Sequence, residues 1–345
     1  MKFLRALLFF FSILAMVIIF LLGTLFVTFR GPSPTARDML TLSMLETSAL
    51  KFVPALFISN QAVEKITANN SIVESEVIAD ISLISFESKT LNDTAKNAAN
   101  GAAKAADTGD EWADYPEGIR IEKVRGQTFR GYMMLVRDPA RVYVAASSDF
   151  KSKQPGMRIH EVIKREDAIA GINGGGFPDE GGVGKGDLPL GLVFSKGDHL
   201  WGNENSVYSS VIGFDTNNVL IVGNYSVKKA REMGIRDALC FGPTLIVNGE
   251  PMEVRGLGGG LNPRSAIGQR SDGTVLLLCI EGRMAHSLGA SFSDLIEIMQ
   301  NYKAVNASNL DGGTSTTLVY KNELVNVFSN LYGPRRIPTF YLVRK

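Results

Sequence analysis

The sequence of 345 residues contains few of the residue types that build disulfide frameworks, metal sites and nucleic-acid surfaces. Two cysteines, Cys240 and Cys279, are too few for a disulfide framework; both lie in apolar runs, which indicates either one buried disulfide or two buried thiols. The three histidines, His160, His199 and His286, lack the spacing of metal ligands, and we predict no metal and no cofactor. Because 36 basic residues face 35 acidic ones, the charge balance gives no case for nucleic-acid binding.

One long hydrophobic run, from Ala6 to Phe29, stands near the N-terminus between Lys2 and Arg30. At about 1.5 Å rise per residue, a helix of this length exceeds the roughly 30 Å hydrocarbon core of a bilayer. A cleaved signal peptide has a shorter apolar core followed by a site of small residues, so the pattern favours an uncleaved signal anchor over residues 1–30. The basic residues at the short end predict a single-pass protein of the cell membrane, with a cytoplasmic N-terminus and an extracytoplasmic domain.

Composition divides the rest of the chain into three parts. Residues 31–59 contain a second apolar stretch, interrupted by charges and Pro54. It predicts a juxtamembrane amphipathic segment that lies on the outer leaflet or packs on the globular domain, and a second span that returns the domain to the cytoplasm is the alternative. Residues 60–117 are polar and alanine-rich, with no apolar stripe over 92–107, and are expected to form a linker. Residues 118–345, about 230 in number, suit one enzyme domain.

Turn sequences of the Lys-Gly, Asn-Asn and Asn-Gly type separate short apolar runs within this domain, which predicts antiparallel hairpins. Helices are few. The pattern indicates one over Ile159–Glu166 and one that begins after Ser291 with a capping box to Asp294. We therefore predict an α+β fold with a mostly antiparallel or mixed β-sheet core and a few packed helices, preceded by the transmembrane helix.

Three polar segments lie at the ends of predicted strands. The segment Asn309–Gly313 places the Asp311 carboxylate at a strand end, where glycines let the backbone approach a ligand. Asn173 and three glycines follow a second strand, and Arg264 brings a guanidinium to the start of a third. Together these groups suit an anionic or sugar ligand, although each segment alone is also compatible with an ordinary tight turn.

The order of these segments resembles the phosphodiester glycosidases related to the lysosomal uncovering enzyme, which removes N-acetylglucosamine from a phosphodiester. The resemblance extends from about Gly118 to the C-terminus. It rests on five motifs: Asn173-Gly-Gly-Gly-Phe177, Phe241-Gly-Pro-Thr-Leu245, Asn262-Pro-Arg-Ser-Ala-Ile-Gly268, Glu281-Gly-Arg283 and Asn309-Leu-Asp-Gly-Gly313. The chain departs from the usual family pattern at Glu281, where Asp is usual, and at Thr314, where Gly or Ser is usual.

This resemblance implies a glycosidase that cleaves the sugar–phosphate bond of a sugar-1-phosphodiester, resembling an N-acetylglucosamine-1-phosphodiester, in a surface or wall polysaccharide or a glycolipid. Carboxylates suit the positive charge that develops at the anomeric carbon, whereas arginine and backbone N–H groups suit the departing phosphate. We therefore assign Asp311 to the anomeric carbon and Arg264 to the phosphate. Glu281 is assigned to acid–base work or to the positioning of Arg264. The residues expected to bind substrate are Asn173, Gly174, Gly175, Gly176, Arg283, His286, Gly312, Gly313, Thr314 and Ser315.

One contact can be predicted from a turn alone. A two-residue turn at Asp272-Gly273 would join the strands 264–271 and 274–281 so that Arg264 lies opposite Glu281, with β-carbons about 5 Å apart. A cross-strand salt bridge without a catalytic role has the same geometry.

Two other functional classes fit part of the pattern. A metal-dependent phosphodiesterase needs a cluster of acids and histidines, whereas the motifs contain mainly Asp311 and Glu281. A non-catalytic glycan-binding or scaffold protein of envelope polysaccharide assembly could carry the same motifs without turnover. Turnover of a sugar-1-phosphodiester that is lost in an Asp311 variant, while binding is retained, distinguishes the three classes.

Overall fold

The computed structural model describes residues 2–73, 77–86, 111–152, 154–179, 182–328 and 333–345. Helices dominate the N-terminal part, and antiparallel strands dominate the rest, so the predicted α+β class is confirmed. The helices are α1 (Lys2–Arg30), α2 (Pro34–Leu45), α3 (Val53–Phe57), α4 (Asn60–Asn69), α5 (Ile159–Glu166), α6 (Val227–Glu232) and α7 (Phe292–Asn301). The strands are β1 (Ile119–Arg125), β2 (Arg130–Val136), β3 (Val142–Ala146), β4 (Ala168–Asn173), β5 (Val193–Ser195), β6 (Asp198–Trp201), β7 (Val207–Asp215), β8 (Leu220–Ser226), β9 (Ile235–Cys240), β10 (Thr244–Val247), β11 (Glu250–Pro251), β12 (Arg264–Arg270), β13 (Val275–Ile280), β14 (Ala304–Leu310), β15 (Leu318–Tyr320), β16 (Glu323–Leu324) and β17 (Thr339–Arg344).

The strands form three sheets, and every pairing between described strands is antiparallel. The first has seven strands in the order β1-β2-β13-β12-β14-β10-β11, the second five in the order β16-β15-β4-β17-β3, and the third five in the order β6-β5-β9-β7-β8. Helix α7 begins with the predicted capping box between Ser291 and Asp294, and it packs Leu295 and Met299 against the first sheet. Helix α5 covers the second sheet with Val162 and Ile163. These two sheets carry the strand ends at which the candidate site lies.

The β12–β13 hairpin forms as the sequence predicts, but the predicted contact between Arg264 and Glu281 is wrong. Arg264 pairs with Ile280 instead. The turn contains three residues, 271–273, and Gly273 has a φ of +87°, as in a three-residue hairpin loop that ends in a glycine bulge. Because the extra turn residue shifts the register by one, the Glu281 side chain lies on the opposite face from Arg264.

Helix α1 is exposed along nearly its whole length and is long and apolar enough to cross a membrane, a property that fits either a membrane anchor or a signal sequence. Its end packs on α3, where the rings of Phe29 and Phe57 stack with centroids 5.0 Å apart. Arg30 Nε also donates to the carbonyl of Phe57 at 2.6 Å. The first helix and the short helices after it are therefore in direct contact.

Residues 31–59 pack on the globular domain, which is one of the two arrangements expected for them. Ser43 Oγ accepts a hydrogen bond from the N–H of Leu261, and Ser48 Oγ donates to Asp179 at 3.2 Å. Ser33 caps the N-terminus of α2. This segment therefore belongs to the surface of the domain rather than to a separate element.

The prediction that all of 60–117 is a linker is wrong for its first part. Helix α4 buries Ile66, and Asn70 Oδ1 accepts the N–H of Leu257 at 2.8 Å. Ile72 then forms an antiparallel bridge with Val254. Ile66 lies one helical turn after Val63, and this short apolar face is enough to dock the helix. The alanine-rich run at 92–107 lies outside the described residues.

Candidate functional site

Asn173, at the end of β4, joins the strand ends that carry the predicted site. Its side chain is fully buried. Its Nδ2 donates to the carbonyl of Asp311 at 2.5 Å, while its Oδ1 accepts the hydroxyl of Ser265 at 2.7 Å and the N–H of Thr317 at 3.0 Å. One amide thereby ties the ends of β12 and β14 in the first sheet to β4 and the segment before β15 in the second. All three bonds are internal, so the geometry supports a positioning role, and its predicted contact with substrate stays a prediction.

Asp311 follows β14 and has a strongly perturbed carboxyl group. Burial raises the pKa of Asp311 to about 6, and a hydrogen bond from Ser315, the charge of Arg335 and the N–H of Gly312 oppose the rise. The Gly312 N–H donates to Oδ1 at 3.0 Å. A carboxyl with such a pKa is ionised at neutral pH but is held in surroundings that disfavour its charge, as is common for reacting groups.

Arg335 and Asp179 are neighbours of Asp311 that the sequence analysis missed. Arg335 binds Asp179 with both ends of its guanidinium, at 2.6 and 2.8 Å, which raises the pKa of Arg335 and lowers that of Asp179. The guanidinium also lies 4.9 Å from the ring centroid of Phe177, the last residue of the Asn173 motif. The Arg335-Arg336 pair after Gly333-Pro334 was the available signal, because it resembles the Pro-Arg step at 263–264.

Arg264 lies in a second group, which contains an unexpected anion. Its guanidinium is buried, stacks 3.9 Å from the ring centroid of Phe292 and donates to the carbonyls of Ala290 and Gly260. Nη2 also forms an ion pair with Glu46 at 2.6 Å. Burial lowers the pKa of Arg264, and Glu46 opposes that shift. The carboxylate of Glu46 therefore occupies the position that the sequence analysis assigned to a substrate phosphate.

The donors around Glu46 form a small anion site. Besides the ion pair with Arg264, the carboxylate accepts the N–H of Gly260 at 3.0 Å and the side-chain amide of Asn262 at 2.8 Å. Arg283 donates from Nε and Nη2 to the Oδ1 of the same Asn262. Burial lowers the pKa of Arg283, and the nearby charge of Arg264 lowers it further, so two guanidinium groups share this site. Oxyanions other than a carboxylate fit the same set of donors.

The glycine loop after Asp311 lies between the two groups of arginines. A β-carbon built on Gly313 would lie 3.3 Å from Nη1 of Arg283, and Gly313 has a φ of +61°, which favours glycine. Thr314 Oγ1 lies 3.5 Å from Nη1 of Arg335. The loop that holds the Asp311 carboxylate is therefore flanked by a cation on each side.

Glu281 and His286 form a third group. Glu281 is buried, and its Oε1 accepts the N–H of Val327 at 2.8 Å. His286 Nε2 lies 3.4 Å from Glu281 Oε2. A cavity of 10 Å³ separates Glu281 from Gly313 and Thr314, which is room for about one water molecule. Glu281 therefore faces the glycine loop, but neither Arg264 nor a space that admits a sugar.

The three glycines after Asn173 have structural contacts. The N–H of Gly175 donates to the hydroxyl of Thr339 at 3.0 Å, and that of Gly176 donates to the carbonyl of Cys240 at 3.2 Å. The carbonyl of Gly174 accepts the N–H of Asp311. These contacts explain why side chains are absent here: a β-carbon on Gly174 would lie 2.6 Å from the Thr339 carbonyl oxygen. The expectation that this backbone binds substrate stays a prediction.

A larger cavity of 280 Å³ lies beside Arg335. Three further cations line it, namely Arg158, Lys185 and Arg336, together with a wall of glycine and proline residues. Its volume is close to the lower end of the range for small-molecule sites, about 300 Å³. Arg335 therefore both lines this basic cavity and acts through its charge on the carboxyl of Asp311.

The two cysteines are free and buried in the structure, which decides between the alternatives left open by the sequence. Burial raises the pKa of the Cys240 thiol to about 12 and raises that of the Cys279 thiol well above its usual value. Both are therefore inert thiols at neutral pH. Within the described ranges, no group of three or more His, Cys, Asp or Glu residues is placed to hold a metal ion.

The structure is an α+β domain in which a carboxylate with a raised pKa lies near arginines at the ends of packed antiparallel sheets. The sequence matches the family model for phosphodiester glycosidases over residues 166–344, about half of the chain. The chain belongs to the phosphodiester glycosidase family.

The chain is also similar to a curated protein and to a solved structure. A curated protein of Bacillus subtilis (strain 168), the SPbeta prophage-derived uncharacterized protein YomE, is 29% identical over 222 residues, which cover 61% of this chain and 34% of that protein. The chain thus spans about a third of that relative's length. The catalytic domain of zebrafish N-acetylglucosamine-1-phosphodiester alpha-N-acetylglucosaminidase, solved in a form auto-inhibited by its pro-peptide, has 20% identity and a TM-score of 0.54. That comparison covers 66% of this chain and 82% of the zebrafish chain, and it supports the fold.

Proposed function

We propose that the protein is a membrane-anchored extracytoplasmic glycosidase that cleaves the sugar–phosphate bond of a sugar-1-phosphodiester, of the N-acetylglucosamine-1-phosphodiester type, in a surface or wall glycan or a glycolipid. The observation that carries the proposal is the Asp311 carboxylate, which has a raised pKa and lies on a glycine loop between Arg283 and Arg335. Membership of the family supports the same reaction class.

Each charge suits one part of this reaction. The ionised Asp311 stabilises the positive charge that develops at the anomeric carbon, and in its buried setting that interaction is stronger than in water. The phosphate leaves as an anion and is bound by guanidinium groups, which grip two of its oxygens at once. Phosphate is a good leaving group, so the reaction does not require the buried Glu281 to act as a general acid. Glu281 instead positions the Val327 backbone beside the glycine loop.

The described conformation is closed. The Glu46 carboxylate occupies the anion site at Arg264, and the cavity between Glu281 and the glycine loop admits about one water molecule. A substrate phosphodiester carries one negative charge, as the Glu46 carboxylate does, and offers the same donors two oxygens, so it displaces Glu46 when it binds. The segment that carries Glu46 must then shift away from Arg264, which couples substrate entry to a movement of residues 31–59.

A kinetic comparison tests this closed form. In Glu46→Gln the side chain keeps its size and loses its charge, so it competes less with phosphate, and KM should fall several-fold with little change in kcat. Glu204→Gln, which removes the partner of Arg231 on the surface, is the matched control. A rise in KM for Glu46→Gln, absent in the control, would instead show that Glu46 supports the productive site.

The reaction itself is tested on the full chain in detergent micelles with α- and β-linked N-acetylglucosamine-1-phosphodiesters. Release of reducing sugar together with a phosphate monoester, lost in Asp311→Asn, supports the proposal. Cleavage of the bond between phosphorus and the other substituent, which releases that substituent as an alcohol together with the sugar phosphate, would identify a phosphodiesterase. Binding without turnover by the unaltered protein would favour a glycan-binding or scaffold role.

The orientation in the membrane is tested separately. Helix α1 serves as the anchor in this proposal, with its basic end in the cytoplasm. Protease added to intact spheroplasts should then cut within 87–110, the alanine-rich part of the predicted linker, and split the chain into two fragments on a denaturing gel. If this segment is cut only after the membrane has been opened, the domain is cytoplasmic.

A further inference from the structure

An exposed apolar edge lies just after α2. It consists of Leu50, Phe52 and Leu56, whose side chains are 43, 60 and 70% exposed. Lys51 stands between the first two and is also exposed. Large apolar side chains next to a cation are typical of segments that lie in the interface between lipid headgroups and acyl chains.

The apolar edge is continuous with the helix that is long enough to span a membrane. Phe57 of α3, next to Leu56, stacks on Phe29 of α1 at 5.0 Å. Arg30, which ends α1, donates to the carbonyl of Phe57 at 2.6 Å. A helix that spans the bilayer would leave it near Arg30, so the packed contact places the apolar edge at the level where the chain emerges from the hydrocarbon core.

The same short segment contacts the candidate site. Ser48 donates to Asp179, the partner of Arg335, and Glu46 binds Arg264. Ser48 and Leu50 are two positions apart in the chain, so their α-carbons lie at most about 7 Å apart. The headgroup layer of one leaflet is roughly 5–8 Å thick, by the difference between the full bilayer and its hydrocarbon core. The rim of the site at Ser48 therefore lies at the level of the lipid headgroups.

We propose that Leu50, Phe52 and Leu56 insert into the outer leaflet and hold the site against the membrane surface, so that the substrate is a lipid whose headgroup is a sugar-1-phosphodiester. This inference rests on the proposed function and narrows its substrate class from glycans in general to membrane glycolipids. The sugar and phosphate of such a lipid lie at headgroup level, beside Arg264 and Arg335, while its acyl chains stay in the bilayer. A polymer in free solution gains nothing from the apolar edge.

A kinetic experiment compares two substrates with the full chain in vesicles of phosphatidylethanolamine and phosphatidylglycerol. One is the dodecyl phosphodiester of N-acetylglucosamine, embedded in the vesicles, and the other is its water-soluble methyl counterpart. The triple variant Leu50→Ser, Phe52→Ser, Leu56→Ser should raise KM for the dodecyl substrate by about tenfold or more, as expected when an interfacial anchor is lost. Its kinetics on the methyl substrate should be unchanged.

The matched control is the double variant Ile78→Ser, Val207→Ser, whose side chains are 67 and 70% exposed on the globular domain. This double variant should have unchanged kinetics on both substrates. If the triple variant raises KM equally for both substrates, the inference is overturned, because the apolar edge would then serve folding. A changed oligomeric state that accounts for the rise in KM overturns it as well, because the edge would then contact a second copy of the chain. If the unaltered protein hydrolyses neither substrate, the proposed function fails. Membrane insertion of the apolar edge is then tested by fluorescence quenching alone.

Insertion is measured without any turnover in Phe52→Trp. In vesicles whose lipids carry bromine on the acyl chains, the fluorescence of the new tryptophan should be quenched relative to unbrominated vesicles. Val207→Trp, measured against the same background from Trp112 and Trp201, should not be quenched. An unquenched Phe52→Trp places the apolar edge in water and overturns the inference.

Discussion

The raised pKa of Asp311 makes an unusual prediction: replacing this residue with Asn should stabilise the protein at neutral pH while it removes activity. Burial raises the folded-state pKa from 3.8 to about 6. Below pH 4 the carboxyl is mostly neutral in both the folded and the unfolded chain, so it does not lower the free energy of unfolding. Between about pH 4 and pH 6 the unfolded chain ionises first, and the free energy of unfolding therefore falls as pH rises. Asn has the same shape and no charge, so the variant escapes this loss.

The magnitude follows from the size of the shift. About two units of pKa, at about 1.4 kcal/mol each, amount to about 3 kcal/mol. Because Asp311 is partly exposed, we expect about 2 kcal/mol of extra stability for Asp311→Asn at pH 7.5 and almost none at pH 3.5. For a domain of this size, that corresponds to a rise in Tm of about 4–8 °C at pH 7.5.

Thermal and urea unfolding of the full chain in detergent micelles, followed by the fluorescence of Trp112 and Trp201, measures this difference across the pH range. Asp198→Asn, at an exposed position on β6, is the control and should show no pH-dependent gain. Activity of Asp311→Asn should fall at least about 10²-fold at every pH, because the developing charge loses its electrostatic partner. If the variant instead melts at a much lower temperature and its remaining activity scales with the folded fraction, Asp311 is a turn-forming residue and the catalytic role moves to Glu281.

The other predictions concern activity and folding at neighbouring positions. For the unaltered protein, kcat/KM should decline as pH falls through about 6, since the ionised form of Asp311 is the active one. A kcat/KM that instead declines above pH 6 would show that Asp311 acts as a general acid. Arg264→Lys should raise KM at least about tenfold, because one ammonium cannot reproduce a planar two-point grip, and unchanged kinetics would place phosphate elsewhere. Asn173→Ala leaves a hydroxyl and an N–H without their acceptor and should cost about 3 kcal/mol of stability in urea unfolding, whereas a neutral result would mean that water replaces the amide. His286→Gln should change kcat less than about threefold, since His286 lies beside Glu281, which the proposed reaction does not require as an acid; a loss as large as that of Asp311→Asn would assign it to the reaction.

Local patterns predicted the elements of this fold closely. The helix over Ile159–Glu166 and the capping box at Ser291 appear as expected, because apolar periodicity and capping act within a few residues of the chain. The strand of Ala304–Leu310 likewise delivers Asp311 to the predicted strand end. The register of the β12–β13 hairpin could not be predicted, since it depends on whether Gly273 closes a two-residue or a three-residue turn.

The site required contacts that no local pattern contains. Glu46 meets Arg264 across more than two hundred residues of sequence, and Asp179 meets Arg335 across more than one hundred and fifty. Such pairs are set by how the sheets and the N-terminal helices pack, and their residues carry no signal at a fixed spacing. The strand-end position of Asp311 was therefore predictable from the sequence, whereas the neighbouring charges of Glu46, Asp179 and Arg335 were not.

The position of β17 determines when the candidate site can form during synthesis of the chain. This strand lies between β4 and β3 in the second sheet, although it follows every other described strand in the chain. Its first residue, Thr339, accepts the N–H of Gly175, two residues after the Asn173 that holds Asp311. During synthesis, α1 is available to the membrane long before this central strand exists, so the site is assembled only when the whole domain has left the ribosome. For a chain oriented as proposed, the hydrolase therefore gains its site after crossing the membrane, and a nascent chain on the cytoplasmic side has no functional carboxylate to act on the cell's own sugar phosphates.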